Sequence, residues 1–142
     1  MNSLQQHTAF IKKSASALGF DYCGIAKAVT LDEDARRLEQ WLQKGMQGTM
    51  QYMEKYFDLR IDPGKLVPGA RSVITLLKNY YPSGQQQQGI PKISKYAFGK
   101  DYHEIIREKL TGLIGLIKEE VGEIHGRGFV DSAPVLERTW AE

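Results

Sequence analysis

The sequence is poor in cysteine, in net charge and in long apolar runs. Its 142 residues include one cysteine, Cys23, which lies in the apolar segment FDYCGIA. A single cysteine cannot form an internal disulfide, and alone it cannot hold a zinc ion or an iron–sulfur cluster. We therefore expect a buried structural thiol and a reducing, cytoplasmic setting.

Other absences narrow the function further. The net charge is only +2, which does not by itself favour nucleic-acid binding but leaves room for a local basic patch. The N-terminal segment MNSLQQHTAFIKK lacks the apolar core of a signal peptide. No run reaches the roughly 18 apolar residues of a membrane span. HxxxH, CxxC, the phosphate-binding GxxxxGK[ST] and GxSxG are all absent, so no metal ligand or hydrolase nucleophile is predicted.

The remaining composition is that of one folded domain. Hydrophobic residues make up 42% and charged residues 25%, and this length can bury a core. Apolar periodicity and capping signals predict strands that alternate with helices, in an α/β or α+β sandwich. The first half is predicted to contain a helix over 3–18, a strand over 20–26, a helix opened by a Thr30–Glu33 capping box and closed near Gly45, and a short helix within 48–60. A strand buried on both faces is predicted over 72–79, followed by a polar loop over 82–91 and a strand over 92–98. The last predicted elements are a helix capped by Asp101, a strand over 128–130 and a helix from Pro134.

Asp131 is the first candidate functional residue, in the segment FVDSAPVLER. It follows a predicted strand and precedes a predicted helix. A carboxylate in a crevice at such a junction can be partly desolvated, which favours its protonated form and suits a general acid. The alternative, which spacing alone favours, is that Asp131 or Ser132 caps the last helix.

Two further segments could bind a ligand. Arg60, in LRIDPGKL, either braces the turn through Asp62 or faces an anionic or amide-rich ligand. The segment KYAFGKDYHE, residues 95–104, gathers aromatic and basic side chains around Gly99. That composition suits a nucleotide or another flat ring system. The alternative is a strand-to-helix turn with ordinary core aromatics.

Four segments in one order are more specific than any of these residues alone. RIDPGKLVPGARSVI, NYYP, ISKYAFGKDYH and FVDSAPVLER together resemble the N-terminal region of the epoxyqueuosine reductases. The resemblance implies a cobalamin-dependent iron–sulfur enzyme that reduces epoxyqueuosine to queuosine in the wobble position of tRNA. It also implies an α+β fold, a mixed-sheet sandwich with flanking helices, similar to the nitroreductase-like cobalamin-binding domain of reductive dehalogenases.

The resemblance assigns roles to particular residues. The acid of the VDSAP motif, Asp131, is the implied proton donor. The residues implied to lie near the corrinoid are Arg60, Tyr96, Ala97 and Asp131, and none is implied as a metal ligand. Lys95 and Lys100 are expected near the backbone of the tRNA partner, whereas no membrane partner is expected. The electron donor is not indicated.

The chain departs from the family pattern at its end. The family continues past the LER segment with a glycine-rich stretch and the cysteines of two four-iron four-sulfur (4Fe-4S) clusters, whereas this sequence stops at Glu142. Residues 1–142 are therefore expected to be a single N-terminal cobalamin-binding and catalytic domain, truncated before a ferredoxin-like domain. Alone it should be inactive and bind corrinoid weakly or not at all. The alternatives are a related corrinoid or iron–sulfur oxidoreductase, such as a reductive dehalogenase, and a non-catalytic binding module.

Overall fold

Two long helices and a short sheet form the frame of the molecule. The computed structural model describes residues 2–142. The elements are α1 Ser3–Ala17, β1 Tyr22–Lys27, α2 Asp32–Gln43, α3 Tyr52–Lys55, α4 Phe57–Ile61, α5 Pro63–Leu66, β2 Ser72–Leu77, a 3-10 turn Lys95–Ala97, α6 Tyr102–Val121 and α7 Glu137–Ala141. No helix in this described part of the chain is both long and apolar enough to cross a bilayer.

The sheet consists of β1 and β2, paired antiparallel from Tyr22 opposite Leu77 to Lys27 opposite Ser72. The α+β class is confirmed, but the expected mixed-sheet sandwich is wrong for residues 2–142, which contain this two-stranded sheet alone. Because a two-stranded sheet exposes much of its surface, β2 is only half-buried along its centre. The prediction that β2 is buried on both faces is therefore also wrong.

Two predicted strands do not form. Residues 92–94 are irregular and residues 95–97 make the 3-10 turn. The side chain of Gln86 binds both backbone groups of Ile93, with Nε2 donating to the carbonyl at 2.5 Å and Oε1 accepting from the N–H at 2.9 Å. Those groups would otherwise be available to a neighbouring strand. Residues 128–130 are also irregular.

The core lies where α1 and α6 pack against the sheet. Its buried residues are Ala15, Phe20, Cys23, Leu113 and Ile117. Cys23 is the buried thiol that the sequence predicts, and its burial raises the pKa of that thiol. Lys109 of α6 donates from Nζ to the carbonyl of Leu18, at the C-terminal end of α1. This contact ties the middle of α6 to the C-terminal end of α1.

The helix-capping predictions have mixed outcomes. Asp101 caps α6, because its Oδ1 atom accepts from the backbone N–H of His103 at 2.9 Å. The Thr30 capping box is wrong, since the N-cap of α2 is Leu31 and no side chain caps it. The backbone N–H of Leu31 instead donates to the carbonyl of Ile61 at 2.8 Å.

Gly24→Ala should destabilise the fold. A Cβ atom at Gly24 would lie 2.7 Å from Oγ1 of Thr75 on the paired strand, so we expect a loss of about 1–3 kcal/mol in the free energy of unfolding. The matched control is Gly115→Ala in α6, where an added Cβ would meet no atom within 4 Å. That change should stabilise the helix by about 0.5–1 kcal/mol. Urea denaturation followed by circular dichroism measures both, and equal effects would contradict the expectation.

Candidate functional site

Asp131 lies in the irregular segment between α6 and α7 in a left-handed conformation, with φ of 51°. Asp131 is the one non-glycine residue with positive φ in the part of the chain described, and such backbone is uncommon outside glycine. Its backbone N–H donates to Oε1 of Glu137, in the first turn of α7, at 3.2 Å. Unusual backbone that its surroundings hold in place often marks a functional position.

The carboxylate of Asp131 is bound by the first turn of α6. The hydroxyl of Tyr102 donates to Oδ2 of Asp131. Nε2 of His103 lies 3.7 Å from the same oxygen. The alternative in which Asp131 or Ser132 caps the last helix is wrong, because the N-cap of α7 is Leu136 and it has no side-chain cap. The Asp131 side chain is 52% exposed, so the described residues alone desolvate it only partly.

Asp101 extends this network. Its Oδ1 atom lies 2.8 Å from Nδ1 of His103 and also accepts from the backbone N–H of that residue. The backbone hydrogen bond is the main reason that the pKa of Asp101 is lowered. Asp101, Tyr102 and His103 are consecutive, so the cap that starts α6 also aims two side chains at Asp131.

Aromatic rings surround Tyr102. Its ring stacks on Tyr80, with centroids 5.4 Å apart, and on His103, with centroids 4.1 Å apart. Tyr96 meets the Tyr102 ring edge to face at 6.3 Å. These contacts restrict the Tyr102 ring, so its hydroxyl is directed at Asp131. The core-aromatic alternative is wrong for Tyr96, which is 57% exposed.

A shallow cleft of about 260 Å³ adjoins this cluster. Its lining residues are Lys78, Asn79, Tyr80, Tyr81, Pro82, Lys95 and Tyr96. Nζ of Lys95 donates to the hydroxyl of Tyr81 at 2.5 Å and lies 4.1 Å from the centre of that ring. The cleft is therefore aromatic and basic, and segment 95–104 contributes Lys95 and Tyr96 to it.

Asp21 fixes one wall of the cleft. Its Oδ2 atom accepts from the backbone N–H of Asn79 at 2.6 Å and lies 3.6 Å from Nζ of Lys78. The backbone hydrogen bond is the main reason that the pKa of Asp21 is lowered. Sequence analysis missed Asp21, Tyr80 and Tyr81 as site residues. The NYYP segment directly after β2 was the available signal for the two tyrosines.

The structure brings together only some of the predicted site residues. Asp131 and Tyr96 both contact Tyr102. Ala97 follows Tyr96 in the 3-10 turn and is exposed, but it does not line the cleft. Within residues 2–142, no grouping of three or more His, Cys, Asp or Glu side chains is arranged to hold a metal ion.

Arg60 lies apart from the cleft lining. Its Nη2 atom donates to the carbonyl of Tyr52 at 3.3 Å, and its guanidinium lies 5.9 Å from the centre of the Tyr52 ring. The brace to Asp62 is wrong, since Oδ1 of Asp62 instead accepts from the N–H of Gly64 at 2.8 Å. Nε of Arg60 is buried and has no hydrogen-bond partner among the residues described.

The fold and the site together define a class: an α+β domain with an aromatic, basic cleft beside a hydrogen-bonded carboxylate. The family model described as "Epoxyqueuosine reductase QueG, DUF1730" matches residues 60–132, about half of the chain. The chain belongs to this epoxyqueuosine reductase family. The matched region includes both Arg60 and Asp131.

Curated relatives support the assignment. An epoxyqueuosine reductase of Cyclobacterium marinum is 54% identical over 143 residues, which cover 99% of this chain and 46% of the relative. An epoxyqueuosine reductase of Cellulophaga algicola is 56% identical, with 99% of this chain and 46% of the relative covered. The chain thus spans less than half the length of these relatives.

Solved structures share the fold. A crystal structure of an epoxyqueuosine reductase with an epoxyqueuosine-modified tRNA-Tyr stem loop matches with a TM-score of 0.74 and 26% identity, over 99% of this chain and 38% of that one. The epoxyqueuosine reductase from Streptococcus thermophilus matches with a TM-score of 0.78 and 24% identity, over 96% of this chain and 36% of that one.

Removing the Asp131 carboxylate should change the titration of Tyr102. The hydrogen bond to Asp131 is the main cause that raises the pKa of Tyr102 to about 12 from its ordinary 10.0, because donation to the carboxylate stabilises the protonated hydroxyl over the phenolate. We expect Asp131→Ala to lower that pKa towards 10.0. Tyrosinate absorbance against pH, after subtraction of the Tyr102→Phe titration, isolates this residue. Asp58→Ala is the control, and a Tyr102 pKa near 10.0 in the unaltered chain would contradict the expectation.

Proposed function

We propose that this chain is the N-terminal part of an epoxyqueuosine reductase, which reduces epoxyqueuosine to queuosine in the wobble position of tRNA. Family membership supports the reaction. The observation that carries the proposal is the carboxylate of Asp131, which is held in a left-handed turn and bonded to Tyr102 beside an aromatic cleft. Asp131 is the proposed proton donor.

The chemistry requires an acid. Conversion of an epoxide to an alkene, with loss of the oxygen as water, consumes two electrons and two protons. A positioned carboxylic acid can protonate the departing oxygen as the carbon–oxygen bond breaks. When bound, cobalamin in its reduced form would supply the electrons, fed by two 4Fe-4S clusters outside this chain. The proposed role of residues 2–142 is to bind and orient the substrate and to protonate its departing oxygen.

The cleft fits one side of a flat ring system such as a corrin. Tyr81 and Tyr80 are 69% and 54% exposed, so both present ring surface, and Lys95 adds positive charge. The volume of about 260 Å³ lies below the roughly 300–1,000 Å³ of complete ligand pockets. These residues would therefore form one wall, with Tyr96 and Ala97 beside it. Arg60 is proposed to join the site through Nε, the buried guanidinium nitrogen that has no hydrogen-bond partner among the described residues.

The remaining assignments follow from the same proposal. The partner is tRNA that carries epoxyqueuosine, and Lys95 and Lys100 are proposed to approach its backbone. The protein is proposed to act in the cytoplasm. A nitroreductase-like sheet, as in reductive dehalogenases, would need further strands from outside residues 2–142 to pair with β1 or β2.

Asp131→Ala in the complete reductase should reduce queuosine formation by at least about 100-fold, since general acids commonly contribute that much. Binding of cob(II)alamin, followed by absorbance titration, should stay largely intact. Asp32→Ala is the matched control, because Asp32 is an exposed carboxylate in the first turn of α2. Near-normal turnover of the Asp131 variant in an assay of modified tRNA would remove Asp131 from this role.

The chain on its own should show no turnover, and its affinity for cob(II)alamin should be at least about tenfold weaker than that of the complete reductase. The reason is that an open cleft buries too little of a ligand to offset the loss of its motional freedom. Absorbance titrations of the two proteins under the same conditions measure the difference. Equal affinities would show that residues 1–142 already hold the whole cofactor site.

A further inference from the structure

We propose that Tyr102 and His103 are positioning residues that fix which oxygen of Asp131 carries the transferred proton. The inference rests on the proposed function, in which Asp131 is the proton donor. Both side chains face Oδ2 of Asp131, Tyr102 through its hydroxyl and His103 through Nε2 at 3.7 Å. Oδ1 makes no hydrogen bond within residues 2–142.

The difference between the bonded Oδ2 and the unbonded Oδ1 determines which oxygen of Asp131 carries the proton. A hydroxyl that donates to Oδ2 requires a lone pair there, so it favours the tautomer in which Oδ2 is the carbonyl oxygen. The acidic hydrogen then resides on Oδ1, which has no competing partner. The left-handed backbone of Asp131, tied to Glu137 at 3.2 Å, fixes the direction in which the side chain leaves the chain, and the Tyr102 hydrogen bond holds Oδ2. Oδ1 is thereby the carboxyl oxygen that remains available to a substrate.

His103 is held from its other side. Oδ1 of Asp101 faces Nδ1 of His103 at 2.8 Å, so the ring hydrogen at Nδ1 is directed to Asp101 and Nε2 is left facing Asp131. The groups around the imidazole are the carboxylates of Asp101 and Asp131 and the stacked ring of Tyr102. His103 acts through its ring, which stacks on Tyr102 with centroids 4.1 Å apart and so helps to hold the Tyr102 hydroxyl on Oδ2.

The same contacts stabilise the product of the proton transfer. The Oδ1–H bond of Asp131 breaks, its electron pair stays on the carboxylate, and the proton bonds to the substrate oxygen. No electron enters or leaves in this step, since the reducing electrons would be supplied separately by the bound cofactor. The new negative charge is shared by both carboxylate oxygens, and the hydroxyl of Tyr102 already points at it. Donors placed where charge develops lower the barrier.

The test compares conservative variants of the complete, cofactor-loaded reductase. Tyr102→Phe removes only the hydroxyl and keeps the rings that stack on Tyr80 and His103. We expect kcat to fall about 10- to 100-fold, the range for a hydrogen bond to a charged group, with KM for the modified tRNA within about twofold. Such a pattern identifies an interaction made in the transition state. Tyr22→Phe is the control, because Tyr22 is an exposed tyrosine on β1.

Changes at His103, the second side chain that faces Oδ2 of Asp131, and at its partner Asp101 supply a second measurement. His103→Gln should also lower kcat without weakening cob(II)alamin binding, and His125→Gln, at an exposed histidine, should not. Asp101→Asn should give a smaller loss, because asparagine still caps α6 but no longer places a negative charge at Nδ1. Circular dichroism verifies that each variant is folded.

The outcomes separate this inference from the proposed function. Full kcat in both Tyr102→Phe and His103→Gln, together with an inactive Asp131→Ala, would overturn the inference and leave the proposed function in place. A rise in KM or weaker cofactor binding with unchanged kcat would also overturn it, since the two side chains would then only bind ligand. Turnover by Asp131→Ala would instead refute the role of Asp131 itself.

Discussion

The hydrogen bond from Tyr102 to Asp131 is the contact on which the rest of the site depends. It joins two segments that lie 29 residues apart in the sequence. Because Tyr102 is the first residue of α6, and α6 packs on α1 and carries buried Leu113 and Ile117, the carboxylate is attached to a helix that is part of the core. Functional side chains held in this way keep their geometry better than side chains on free loops.

A second connection runs through Asp21. This residue directly precedes β1, and it binds the backbone of Asn79 just beyond β2. The two strands therefore fix where the chain leaves the sheet, which in turn places Tyr80 against Tyr102. The sheet thus contributes to the site at one end, where the residue before β1 and the residues after β2 meet.

Sequence reasoning succeeded where a signal was local. The apolar periodicity of α1 and α6 and the Asp101 cap depend on residues within a few positions, and each is confirmed. The strand predicted over 92–98 failed because Gln86, outside that window, takes both backbone groups of Ile93. Neither the Tyr102 contact nor the isolation of Arg60 from the cleft can be read from spacing, since both depend on tertiary placement.

The described residues leave the Asp131 side chain partly exposed to water. A carboxylate that is 52% exposed lies largely in water, where hydrogen bonds and charges act weakly. The network of Asp101, Tyr102, His103 and Asp131 is nevertheless fully oriented before anything covers it. Burial beneath a flat ligand or another protein surface would strengthen each of these interactions, and the four side chains would not need to move. Orientation therefore comes from the Asp101 cap and from the aromatic stack around Tyr102, whereas exclusion of water would come from whatever covers the exposed face of Asp131.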